Sequence, residues 1–268
     1  MVLLIGGAAR SGTTMLWRLC NGHPDIRLTY EFGNFAPLGR PYAAYRREMF
    51  RHHRRRGWYA NRVLGLRETV SRFQHAADIL RGYGFLGRYY LALSRYRGRT
   101  VDLAAIESVL RRRNSLGDAK FVGDKFPDYV SLLPGFTRER GVSFVAIYRD
   151  CRDVVSSTLK RVRAEWQGDA FARDFNTADA IAARWVEAVE QMELHADKIW
   201  HIRYEDLIHQ PEPTLKGLGD WLGVDPTGFP RRLIRGGSIG LHQHGLSPEE
   251  LAVVQEVAGP TLERLGYS

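Results

Sequence analysis

The sequence predicts an α/β fold, with a central, mainly parallel sheet flanked by helices on both faces and a helical insertion. Three observations predict it. Short, β-branched apolar runs bounded by turns recur along the chain. Helical periodicity follows at least three of them. Residues 40–115 break that alternation with a stretch rich in arginine and aromatics.

Val2–Ile5 is the first buried strand, and a helical pattern follows over Thr13–Cys20. In 40–115, Trp58, Tyr59, Phe73, Tyr83, Phe85, Tyr89, Tyr90 and Tyr96 accompany the arginines, and several inserted helices are expected there. Lys120–Val122, Val142–Tyr148 and Ile199–Tyr204 read as further strands. The spacing predicts helices over Arg152–Trp166, Thr177–Ala196 and Thr214–Leu222; in the second, Ile181, Trp185, Val189 and Met192 share one stripe. The last helix starts at Ser247-Pro248-Glu249-Glu250, where serine caps, proline sits in the first turn and glutamate reaches back. No linker long enough to divide the chain appears, so 1–268 reads as one domain.

The 268 residues are 44% hydrophobic and 26% charged, the balance of an ordinary soluble globular protein. No run approaches the ~18 apolar residues of a membrane span. No charged leader precedes Val2, and a reducing, cytoplasmic setting is expected. Cys20 and Cys151 each fall inside an element and read as small buried side chains. No Cys/His cluster has zinc-like spacing, and arginines flank His52-His53, so no metal is expected. The formal net charge of +9 is uneven. Between Arg40 and Arg113, 18 arginines against five acids give +13, leaving −4 elsewhere. That segment suits an anionic partner or a solvated helical face.

Ala8-Ala9-Arg10-Ser11-Gly12-Thr13-Thr14 joins the first strand to its helix. Such a turn presents backbone N–H groups and the positive end of a helix dipole to an anion. Ser11, Thr13 and Thr14 add hydroxyls, and Arg10 adds a charged fork. A metal-dependent phosphoryl-transfer loop ends in Gly-Lys-Ser/Thr, and none exists here. A second motif runs from Phe144 to Ser157. Arg149 ends a buried strand where open α/β sheets bind ligands, and Ser157 lies eight residues on, in the next helix.

Together these two motifs resemble those of the sulfotransferases that use 3′-phosphoadenosine 5′-phosphosulfate (PAPS). The resemblance implies a three-layer, P-loop-NTPase-like fold, metal-free chemistry and release of the 3′,5′-bisphosphate product PAP. It places Arg10, Ser11, Gly12, Thr13 and Thr14 on the 5′-phosphosulfate, and Arg149 and Ser157 on the 3′-phosphate. Cys151 stands where proline is frequent. Arg235, Gly236 and Gly237 fall where the family sets a further 3′-phosphate loop, although Leu241, His242 and Gln243 depart from its pattern. Tyr204 matches a tyrosine near the adenine, and a buried sheet tyrosine fits it nearly as well.

Sulfuryl transfer to a hydroxyl needs a base for the acceptor proton and positive charge at the leaving oxygen. Lys125 stands two residues before Pro127, where one branch of the family carries histidine. A lysine there resembles the branch of tyrosylprotein, glycosaminoglycan and many bacterial sulfotransferases, whose base is a glutamate after a His-Pro-Asp turn. Here that turn is His23-Pro24-Asp25, and Glu31 lies eight residues past His23. The resemblance therefore implies Glu31 as general base, with Lys125 and Arg10 stabilising charge. A surface role for Glu31, and a Lys125 pairing with Asp124 or Asp128, remain open at this level.

The resemblance covers about 1–35 and 118–265 and leaves the acceptor to the 40–115 segment. A small molecule, a glycan or a glycolipid fits its arginines and aromatics, as does peripheral contact with a membrane or lipid. No nucleic-acid recognition motif appears. A P-loop kinase of nucleotides or small molecules, or a non-catalytic module binding 3′-phosphonucleotides, are the other classes. Oligomeric state is not legible.

Overall fold

The computed structural model describes residues 1–55, 72–113, 118–164 and 175–267. The chain begins β1 (Val2–Gly6), α1 (Thr13–Asn21), β2 (Ile26–Tyr30), β3 (Arg40–Pro41), α2 (Tyr42–Arg55), α3 (Arg72–Leu93), β4 (Thr100–Val101) and α4 (Leu103–Arg113). It continues β5 (Phe121–Lys125), β6 (Val142–Tyr148), α5 (Cys151–Ala164), α6 (Ala178–Leu194), β7 (Trp200–Arg203), α7 (Tyr204–His209), α8 (Pro211–Leu222) and α9 (Pro248–Arg264), with short helical turns between.

β1 and β5 are buried at every position, as strands covered on both faces must be. The main sheet has the order β2-β5-β1-β6-β7, and all four pairings are parallel. Alternation of side chains splits the core in two. Val2 and Leu4 face one cluster, with Val154 and Leu159 of α5, Trp185 of α6, Val254 of α9, and Tyr45, Phe85 and Ile106 of the inserted helices. Leu3 and Ile5 face the other, with Leu16 of α1, Leu207 of α7 and Leu215 of α8. The three-layer α/β arrangement follows from that division.

Several expected boundaries move. Ile26–Tyr30 is a fifth strand that the four expected ones did not include; its Arg27 guanidinium is held by the carbonyls of His23 and Ile26, both at 2.7 Å. The strand expected at Lys120–Val122 runs to Lys125, because its charged end finds buried partners. Tyr204 opens a helix rather than closing a strand. The helix expected over Arg152–Trp166 spans Cys151–Ala164, and Glu165 and Trp166 lie outside the described residues. In 40–115 the described part is three helices and a small β3–β4 pairing; Trp58 and Tyr59 lie outside the described residues.

Both cysteines are free and buried, and burial pushes the Cys20 thiol up to about 12, leaving it unreactive at neutral pH. The Ser247 capping box forms, with Glu250 reaching back to the Ser247 N–H at 2.9 Å. Among the described residues no helix is long and apolar enough to cross a membrane.

Candidate functional site

Parallel strands bring their carboxyl ends to one edge of the sheet, and every turn that leaves that edge can add to one site. The turn after β1 holds Arg10 with φ at 70° and Gly12 with φ at 97°. A Cβ on Gly12 would lie 2.5 Å from the Tyr204 ring, so no other residue fits. We expect Gly12→Ala to cost about 1–3 kcal/mol through that φ and contact, read as a fall of several degrees in Tm. The first turn of α1 carries no acid, and Gly12 provides no side-chain cap. Its N–H groups are therefore available to an anion. The buried Ser11 Oγ has no hydrogen-bond partner among the described residues.

Arg149 closes the site from β6. Its guanidinium donates to Asp153 Oδ2 at 3.0 Å, to the Ser238 carbonyl and, at 3.4 Å, to the Arg10 carbonyl, while its Nε is buried without a partner among the described residues. It lies over the Tyr204 ring at 4.8 Å. Arg10 Nε donates to Ser157 Oγ at 3.1 Å, tying the first loop to α5. Asp153, in the first turn of α5 four residues past Arg149, also accepts from the Gly240 N–H, the His242 N–H and His242 Nδ1 at 2.8–3.0 Å. One buried carboxylate thus orients the arginine and anchors the 238–242 turn.

The remaining groups come from β2 and β5, which pair in register as Tyr30 with Lys125. Lys125 Nζ is fully buried, donates to Glu31 Oε1 at 2.6 Å and sits 3.7 Å over the Tyr30 ring. The Tyr30 hydroxyl meets Thr14 Oγ1 at 3.1 Å, which joins this pair to α1. Glu31 has φ at 51° and a side chain 30% exposed. Among the described residues, Arg10 and Glu31 are the only two non-glycines with positive φ. Such strain collects where surrounding structure enforces it for function.

Asp124 is what enforces it at Glu31. Its buried carboxylate accepts from Thr29 Oγ1 (2.7 Å), the Phe32 N–H (3.2 Å), the Gly33 N–H (2.8 Å) and the Tyr129 hydroxyl (2.8 Å). Burial pushes the Asp124 carboxyl up, and these four donors pull it back. The inserted helices close the other side. His53 stacks on Phe32 at 5.1 Å, Phe85 and Tyr89 meet its edge, and His52 packs on Phe126 and beside Gly33.

The family model described as "Sulfotransferase family" matches residues 3–228. The chain belongs to the sulfotransferase family. Solved structures agree at the level of fold. The sulfotransferase domain from the curacin biosynthetic pathway aligns over 100% of this sulfotransferase and 98% of its own chain, at 17% identity and a TM-score of 0.60. The sulfotransferase domain of the Synechococcus PCC 7002 olefin synthase aligns over 95% and 86%, at 20% identity and 0.53. Mouse sulfotransferase SULT7A1, solved in complex with PAP, aligns over 97% and 84%, at 12% identity and 0.50. The fold is accordingly the P-loop-like fold of sulfotransferases. No curated protein matches the chain in sequence.

In this sulfotransferase, Arg10, Ser11, Gly12, Thr13, Thr14, Glu31, Lys125, Arg149, Ser157 and Tyr204 lie at one edge of the sheet. Arg235, Gly236 and Gly237 do not join them directly: they are exposed, and their loop reaches Arg149 through Ser238. His23 is remote. Its Nδ1 accepts from the Asp25 N–H at 3.0 Å and its Nε2 donates to the Asp225 carbonyl at 2.8 Å, past the carboxyl end of α1. Lys125 pairs with Glu31, and not with Asp124, whose carboxylate faces the 29–33 turn. Sequence reasoning missed Asp153, His242, Tyr30 and the Asp124 clamp. Asp153 alone carried a signal, its four-residue spacing from Arg149.

Proposed function

We propose that this sulfotransferase transfers a sulfuryl group from PAPS to an acceptor hydroxyl, with Glu31 as general base. The 2.6 Å Glu31–Lys125 pair beside the anion-ready loop of α1 carries that reading. It sets a proton acceptor and a positive charge side by side, at the place where phosphate-binding groups converge.

The residues fit such a donor. Among the described residues, Ser11 Oγ and Arg149 Nε are buried donors with no partner, and the first turn of α1 has no side-chain cap and no acid. Arg10, Ser11, Gly12, Thr13 and Thr14 would hold the 5′-phosphosulfate. Arg149 and Ser157 would hold the 3′-phosphate, with Arg235, Gly236 and Gly237 closing over it, and Tyr204 would flank the adenine. PAP in the mouse neighbour supports this choice of nucleotide. PAPS supplies the sulfuryl group and departs as PAP.

The protein's own groups supply the rest. A Glu31 carboxylate oxygen takes the acceptor hydroxyl proton. Lys125 Nζ, held by Glu31 and the Tyr30 face, places positive charge where negative charge develops. Arg10, fixed by Ser157, adds a second cation. The acceptor approaches from the side of α2 and α3, which pack on the turn carrying Glu31.

Thermal unfolding tests the reading. PAP without metal, at about 100 times its Kd, should stabilise the protein by ~2.7 kcal/mol, a shift of several degrees. Arg149→Ala should lose the preference for PAP over its 3′-dephospho analogue. Stabilisation by ADP with Mg²⁺ and not by PAP would replace this reading with a P-loop kinase.

A further inference from the structure

A surface helix ordinarily turns its apolar face inward and its polar face out. α3 does not. Phe85, Leu86, Tyr89, Ala92 and Leu93 are buried on its inner face. Its outer face is apolar as well: Leu80, Tyr83 and Leu91 are 71%, 48% and 60% exposed, with Gly84 and Gly87 between them. At 100° per residue, positions 80, 83, 84, 87 and 91 form one stripe down the helix.

The charge beside the stripe has one sign. Between Asp78 and Asp102 there is no acid, and Arg81, Arg88, Arg95, Arg97 and Arg99 are all exposed. Arg81 and Arg88 fall along one flank of the stripe, and Arg95, Arg97 and Arg99 lie in the short turn just beyond Leu93. An apolar strip edged by arginine suits an anionic lipid surface, whose headgroups meet the guanidinium groups while the apolar side chains enter the acyl boundary. A second copy of the chain suits it poorly, because arginines would face arginines with no acid from this stretch to relieve them.

We propose that the outer face of α3, through Leu80, Tyr83 and Leu91, together with Arg95, Arg97 and Arg99 in the turn that follows it, docks the protein on anionic membranes. This inference is independent of the reaction proposed above. It also gives that reaction a location, because Phe85 and Tyr89, on the inner face of the same helix, pack against Phe32, the residue after Glu31.

Co-sedimentation with vesicles tests it. The full chain should pellet with phosphatidylcholine vesicles containing phosphatidylglycerol and stay in solution with phosphatidylcholine alone. Added salt should weaken the binding. Arg95→Ser/Arg97→Ser/Arg99→Ser should bind roughly 100-fold more weakly, from about 1 kcal/mol per lost cation. Leu80→Ser/Leu91→Ser should bind about tenfold more weakly at unchanged charge. Both sets are exposed, and a circular dichroism melt matching the wild type would show that each variant is folded. No pelleting with anionic vesicles overturns the proposal. So does pelleting that both variants leave intact, or a concentration-dependent dimer that Leu80→Ser/Leu91→Ser abolishes.

Discussion

Glu31→Gln keeps nucleotide binding and loses turnover by about 10²–10⁴-fold, the usual consequence of removing a general base. The change is nearly isosteric. A glutamine oxygen can still accept from Lys125 Nζ, so the 2.6 Å contact and the turn around it persist. What disappears is the capacity to take a proton. The two measurements are turnover at saturating donor and the thermal shift with PAP. Lost turnover with an intact shift assigns the proton to Glu31. Wild-type turnover would remove Glu31 from the role, and a lost shift would mean that the substitution damaged the donor site.

The second large effect lies at Asp124, which is fully buried behind the turn that carries Glu31. Asp124→Ala strands the Thr29 and Tyr129 hydroxyls and the Phe32 and Gly33 N–H groups in a site without water access. Each unmet buried donor costs about 1–3 kcal/mol, and relaxation recovers part of the sum, so a net loss of roughly 3–5 kcal/mol is expected. That corresponds to a fall in Tm of roughly 6–20 °C. Turnover should fall further than the folded fraction accounts for, because the clamp holds Glu31 at its unfavourable φ of 51°. Circular dichroism melts alongside activity normalised to folded protein check both parts. A variant that melts with the wild type would show that the four contacts are dispensable.

The outer frame of the fold was legible because burial writes itself into composition. Val2–Ile5 and Val142–Tyr148 are apolar on both faces and could only be central strands. Ile26–Tyr30 was missed because Arg27 and Thr29 interrupt a run of only five residues; its partners Phe121–Lys125, nearly a hundred residues away, make it a strand. The true end of β5 was missed for a related reason. Asp124 and Lys125 break the apolar run, and only the 29–33 turn folded against them buries their charges inside the strand.

The anion-ready character of the Arg10–Thr14 turn can be named from local order along the chain, because local backbone geometry and residue type set that signal; the Arg149–Ser157 spacing and the roles proposed for Glu31 and Lys125 were named through the resemblance to the family. Which groups touch is a matter of long-range packing. Arg10 meets Ser157 across 147 positions, Lys125 meets Glu31 across 94, and Asp153 meets His242 across 89. No local pattern encodes such distances. The strain at Arg10 and Glu31 and the clamp at Asp124 exist only because a parallel sheet gathers its carboxyl ends on one edge, where buried charges must find partners or not be buried at all.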